Sequence, residues 1–294
     1  MRKTNKFIIS MLTCVICLYA FTCFAADEGA LKDSVLYYRF SNTSYIAPEE
    51  RKIFVSPSAS YETELLRALV KEPSSVYPHF SPLFPDKTDI ITTWGKGNLL
   101  FVTFNEHIMD RYTDEYMRFD EKYKDEEGML RRKLAMAALS CTVTENTNYA
   151  YVQVLVKGNI EQNRSMRLST NYFLSDENKL INPLYREESY IITPDVCAKF
   201  MFDAWKRVDF AVMQKWILNL KNTLSDLPIL SEYSISRGTC SPGGKTAILM
   251  LNAILQSKEG ITKEIKNLPI RLIYDEGIWR VDFTSIKSLI EVSP

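Results

Sequence analysis

Apolar residues recur along this chain at two spacings, and the two alternate. Residues 34–40 (Ser-Val-Leu-Tyr-Tyr-Arg-Phe) and 51–56 read as strands, rich in aromatic and branched side chains. Residues 62–73 change period: Leu65, Leu66, Leu69 and Val70 share one helical face, Ser60 offers an N-cap oxygen, and Pro73 stops the helix. Two apolar runs, 90–94 and 99–104, flank Gly95-Lys96-Gly97-Asn98 and predict a hairpin. Residues 130–141 put Leu130, Leu134, Ala137, Ala138 and Cys141 on a helical stripe. Residues 151–157 return to period two before a turn at Gly158-Asn159. The order β-β-α-β-β-α-β predicts an α+β unit with its helices on one face of a sheet.

Residues 110–128 are the most polar stretch of the body. Within them Tyr112, Tyr116, Phe119 and Tyr123 recur at helical spacing, which predicts an additional amphipathic helix. Its aromatic face either packs on its own domain or docks a partner. The acidic groups around Asp120 and Asp125 lack the spacing and turn glycine of a calcium loop. Residues 160–192 read as a polar connector. A second unit then opens with Thr193 as N-cap, Pro194 at the first helical position and Asp195 at the positive helix end. Val196, Phe200 and Trp205 line that helix, and Asp209 opens a shorter one. Strands follow at 230–237, 246–255, 264–274 and 278–283, the last two joined through Asp275-Glu276-Gly277. Helices before an antiparallel meander again mean α+β. Two separately folding domains are expected, at 34–159 and 193–294.

Composition narrows the function classes. With 294 residues, 46% hydrophobic and 24% charged, the chain has material for two folded domains. Its 36 basic and 36 acidic residues leave no net charge, which argues against a general nucleic-acid binder. Arg2, Lys3 and Lys6 precede the uncharged apolar run 7–21, and Cys23-Phe24-Ala25 fits cleavage before Ala26, so residues 1–25 read as an export signal. The same stretch is long enough to stay as a membrane anchor. Cys23 could instead carry a lipid, although Ala20-Phe21-Thr22 departs from the sequence such processing favours. Each alternative places the remainder outside the cytoplasmic membrane. Only Cys141, Cys197 and Cys240 then remain, too few and too scattered for a disulfide framework; a Cys197–Cys240 bridge is one option.

Candidate chemistry is sparse. The two histidines, His79 and His107, sit in no metal-binding spacing, and no Gly-x-Ser-x-Gly elbow accompanies them. Residues 238–246, Gly-Thr-Cys-Ser-Pro-Gly-Gly-Lys-Thr, imitate a phosphate loop. The spacing fails, because Thr239 stands where that motif needs glycine, and a hairpin turn is the better reading. No catalytic, cofactor-binding or metal-binding residue is assigned.

Across residues 35–159 the chain resembles the GerMN domain, a sporulation and spore-germination module of bacterial envelope proteins. The likeness rests on Leu36-Tyr37-Tyr38, Pro48-Glu49-Glu50-Arg51, Leu65-Leu66-Arg67-Ala68-Leu69 with Pro73, residues 82–88 before the hairpin, Phe101-Val102-Thr103-Phe104, and residues 152–158. Residues 110–127 are additional to that module, and Lys87 replaces its usual glycine. Residues 194–290 resemble the cone-shaped nuclear transport factor two superfamily through residues 203–210 and Glu276-Gly277-Ile278-Trp279-Arg280-Val281. These resemblances imply a non-enzymatic exported protein that assembles with envelope proteins. The alternative is a binder of a small ligand, peptidoglycan fragment or lipid in a C-terminal pocket between helices and sheet.

Overall fold

The computed structural model describes residues 29–113, 121–158, 165–175, 177–220, 224, 227–257 and 259–291, and for residues 121–125 the backbone alone. Strands β1 (Ala30–Phe40) and β2 (Ile46–Val55) pair antiparallel from Ala30 opposite Val55 to Arg39 opposite Ile46. Helix α1 (Tyr61–Leu69) follows, where the Ser60 hydroxyl accepts the Thr63 N–H at 3.2 Å and Leu65, Leu66 and Leu69 are buried. Strand β3 (Phe80–Ser81) then joins the other edge of β1.

Strands β4 (Ile90–Lys96) and β5 (Leu99–Phe104) form the expected hairpin, with Gly97 at φ 60° in its turn. Helix α2 (Glu121–Asn146) crosses over to β6 (Tyr151–Lys157), which runs parallel to β5. The fold class is α+β, as read from the sequence, but these strands divide into two sheets. One is three-stranded, in the order β2-β1-β3. The other is five-stranded: β4-β5-β6 continues to β7 (Ser165–Arg167), and β8 (Leu184–Tyr185) also pairs with β6. Residues expected as a connector therefore extend the first unit's sheet.

Helix α2 packs against both sheets, touching β1, β6 and β8. All ten residues from 134 to 143 are buried, so this helix has no single apolar stripe. Its polar members turn inward to work: the Thr142 hydroxyl accepts the Tyr37 N–H at 3.2 Å, and the Ser140 hydroxyl donates to the Ala137 carbonyl at 3.0 Å. The helix also starts earlier than its sequence stripe suggested. Residues 121–128 are its first turns and not part of a separate inserted helix.

The second unit begins with α3 (Pro194–Lys206) and α4 (Phe210–Gln214), the latter capped by the Asp209 carboxylate, which accepts the Val212 N–H at 3.1 Å. Its remaining strands are β9 (Ile217–Leu218), β10 (Ile229–Ile235), β11 (Thr239–Cys240), β12 (Thr246–Gln256), β13 (Thr262–Asp275) and β14 (Ile278–Asp282). They form one sheet in the order β10-β12-β13-β14-β9, with β11 against β12. A terminal helix, α5 (Phe283–Glu291), was absent from the sequence reading.

The two units share apolar contacts. The Ile192 N–H donates to the Ile46 carbonyl at 2.9 Å, Phe40 meets Trp216 with ring centroids 5.3 Å apart, and Phe200 stacks on Trp216 at 5.0 Å. Gly277, at φ 82°, lies so close to Phe80 and the Pro48 carbonyl that a β-carbon there would stand 2.6 Å from the Phe80 ring. This turn needs glycine twice over, for its backbone angle and for its closeness.

Candidate functional site

Strand alternation gives the five-stranded sheet two unlike faces. Leu100, Val102 and Phe104 of β5 and Val152, Val154 and Val156 of β6 point inward and are buried. The opposite face carries Trp94 on β4, Leu99 and Phe101 on β5, Tyr151 and Leu155 on β6, and Tyr185 on β8, together with Thr103 and Gln153, which are buried. Trp94 stands opposite Phe101 and lies flat on it, with ring centroids 3.9 Å apart and planes within 1°. Tyr151 stands opposite Leu99 on one side and Tyr185 on the other. Half of Trp94 (48%) and more than half of Tyr185 (62%) remain open to solvent. The same alternation sets Lys96 and Lys157 at the rim of this face.

The neighbouring backbone explains how Trp94 is held. A β-carbon on Gly95 would come within 2.1 Å of the Tyr149 hydroxyl, so only glycine lets β4 lie this close to that ring. The stacked Phe101 then fixes the indole from below. Large exposed aromatics pre-positioned on a rigid sheet lose little side-chain entropy when covered. Covering the open half of one tryptophan, on the order of 100 Å², would contribute about 2–3 kcal/mol.

The aromatics singled out from sequence lie elsewhere. Tyr112 is 2% exposed, its hydroxyl donates to the Leu83 carbonyl at 2.8 Å, and the Arg131 guanidinium sits 4.2 Å over its ring. It belongs to the core and is unavailable for docking. Tyr116 and Phe119 lie outside the described residues, as does Cys23, and Tyr123 falls in the first turn of α2, where the backbone alone is described. The face around Trp94 was missed because the parallel pairing of β5 with β6, and the arrival of Tyr185 beside Tyr151, leave no trace in local sequence. The one available sign was Thr92-Thr93-Trp94, which puts a bulky aromatic among polar residues on an edge strand.

The remaining candidates resolve simply. His107 pairs with Asp110 at 2.7 Å on the surface, and His79 packs beside Phe40. Among the described residues no group of three or more His, Cys, Asp or Glu side chains could hold a metal ion. Residues 238–246 supply β11 and the turn that leads from it into β12, with the Gly244 N–H donating to the Ser241 carbonyl at 2.9 Å. Cys197 and Cys240 are not bridged: Cys197 is buried and Cys240 is exposed. Burial pushes the Cys197 thiol up to about 12. The space between α3 and its sheet, where a ligand pocket was expected, is filled by Met201, Phe202 and Trp205, each at most 2% exposed. No helix among the described residues is long and apolar enough to cross a membrane.

Comparison with known proteins bears on the first unit. A family profile described as Germane, sporulation and spore germination, matches residues 35–162. No curated protein matches the chain. Among solved structures, the tandem GerMN domains of the sporulation protein GerM from Bacillus subtilis are similar at 17% identity, covering 54% of this chain and 46% of that one, with a TM-score of 0.35. This chain thus spans less than half the length of that tandem protein. The first GerMN domain of the same protein is 15% identical over 53% of this chain and 98% of its own, with a TM-score of 0.32. A protein from Clostridium perfringens described as a putative lipoprotein is 13% identical over 54% of this chain and 90% of its own, with a TM-score of 0.28.

Proposed function

From the match of residues 35–162 to the sporulation and spore germination family profile, we propose that this chain is a non-enzymatic envelope protein that assembles with a protein partner during sporulation or germination. The partner docks on the sheet face around Trp94. The observation that carries this reading is the exposed Trp94–Phe101 stack, continued by Tyr151 and Tyr185. Exposed, rigidly held aromatics of this kind are what dominate interface energetics. The export signal read from residues 1–25 supports an extracytoplasmic place for the assembly.

Deletion of the coding sequence in the source organism tests the role. The proposal expects fewer heat-resistant spores or slower germination, restored by the wild-type chain. A deletion strain that sporulates and germinates normally would refute it.

A further inference from the structure

Strand β1 has β2 on one side only. Its other edge is covered in three different ways along its length. At Arg39 and Phe40 it pairs with β3. At Tyr37 the backbone N–H donates to the Thr142 hydroxyl at 3.2 Å. At Val35 the Asn146 carboxamide takes both backbone groups: its oxygen accepts the Val35 N–H at 2.8 Å, and its nitrogen donates to the Val35 carbonyl at 2.7 Å. That side chain does what a peptide unit of a neighbouring strand would do.

The consequence lies two residues back. Because the Val35 N–H and carbonyl both point away from β2, strand alternation turns those of Asp33 and Leu31 the same way. The register from Ala30 to Arg39 carries no bulge that would break this alternation. Pro48, opposite Tyr37, confirms the phase, since at these positions the β2 nitrogen also faces away from the ladder and a proline needs no partner there. Among the described residues no strand pairs with β1 at 31–33. The edge here borders a cleft of about 560 Å³ that reaches from Lys32–Val35 of β1 and Glu145–Asn146 of α2 across to Tyr61 and to Glu50, Arg51 and Lys52 of β2. One wall is fixed in place: the Tyr61 hydroxyl and Ser34 Oγ lie 2.7 Å apart, and the Lys32 ammonium sits 3.4 Å over the Tyr61 ring.

We propose that this cleft binds an extended peptide segment of a partner protein, which adds as a short strand to the open edge of β1 and continues the line begun by the Asn146 carboxamide. A row of alternating backbone donors and acceptors is matched by another peptide backbone and not by a sugar or a free amino acid. Ligand side chains on alternate residues would face Tyr61 on one side and Glu50 on the other. The site lies on the three-stranded sheet and is independent of the Trp94 face.

The test uses the purified ¹⁵N-labelled protein and a panel of end-capped hexapeptides of alternating Thr and Val, each of the twenty amino acids replacing the third residue in turn. Members of the panel should shift the amide resonances of Leu31 and Asp33. N-methylation of alternate peptide amides should abolish the shift in one register and spare it in the other. Asp33→Pro removes the edge donor at a position where Pro48 shows that the ribbon tolerates proline. It should leave the melting temperature unchanged and weaken binding by about tenfold or more. If that variant fails to fold, the two methylation registers decide alone. Absence of any shift across the panel at millimolar peptide, equal binding in both methylation registers, or undiminished binding by a folded Asp33→Pro protein would each overturn the proposal.

Discussion

Asn146, together with Thr142, is how the long helix holds the outer edge of β1, and its replacement makes a graded prediction. Asn146→Ala removes the two bonds to Val35 and a third, in which the carboxamide nitrogen donates to the Thr142 carbonyl at 2.7 Å. A net intramolecular hydrogen bond contributes about 1 kcal/mol, but Val35 is only half-buried and water from the adjoining cleft can replace part of the loss. Alanine also gains up to about 0.7 kcal/mol of helix propensity, less at a helix end. The expected net loss is about 1 kcal/mol. Asn146→Asp should cost more, about 2 kcal/mol or above. A carboxylate keeps the acceptor for the Val35 N–H but sets its second oxygen against two carbonyls, at the negative end of the helix. Urea unfolding at neutral pH checks the order, wild type above alanine above aspartate, with m unchanged. The aspartate should gain from acid. Its surroundings favour the neutral form and raise its folded pKa above the unfolded value of about 4. Its stability relative to wild type is therefore recovered as pH falls toward the unfolded value and lost as pH rises through the folded one. An aspartate variant as stable as wild type at pH 7 would refute the account of how α2 holds β1.

Leu69→Ala should lower stability by about 2–5 kcal/mol, since Leu69 is 1% exposed beneath the hairpin, and a loss under about 0.5 kcal/mol would contradict its packing. Thiol titration of residues 26–294 in the native state at pH 8 should show Cys240 reacting at once, with Cys141 and Cys197 reacting only after unfolding, because both are buried and little thiolate forms at Cys197. Trp216→Ala should destabilise both units together, by about 3–5 kcal/mol, because its ring packs on Phe40 of the first and Phe200 of the second. Separate melting of two units, with only one shifted, would contradict the shared contact.

The sequence was most legible where burial is one-sided. Leu65, Leu66 and Leu69 advertise a helix because only one face of α1 is covered, and residues 151–157 advertise a strand because its two faces differ. Helix α2 was underestimated because both sheets close around it, leaving buried residues at every position from 134 to 143 and no stripe to read. The split into two sheets depends on which strands meet across long separations, and period-two alternation is silent on that. The same silence hid the Trp94 face, whose members come from four strands. Residues 283–290 differ: Phe283, Ile286, Leu289 and Ile290 have helical spacing, so α5 is legible in the sequence even though it follows directly on a strand.

If the Trp94 face meets a protein partner in the envelope during sporulation or germination, the two must lie within crosslinking distance in the cell. A photo-crosslinking amino acid placed at position 94 or 185 in sporulating cells would capture that partner, with position 266 on β13 as an exposed control. Positions 94 and 185 should each give one discrete adduct, with the same protein, and position 266 none. No adduct at either face position, or the same adduct from the control, would contradict docking at this face.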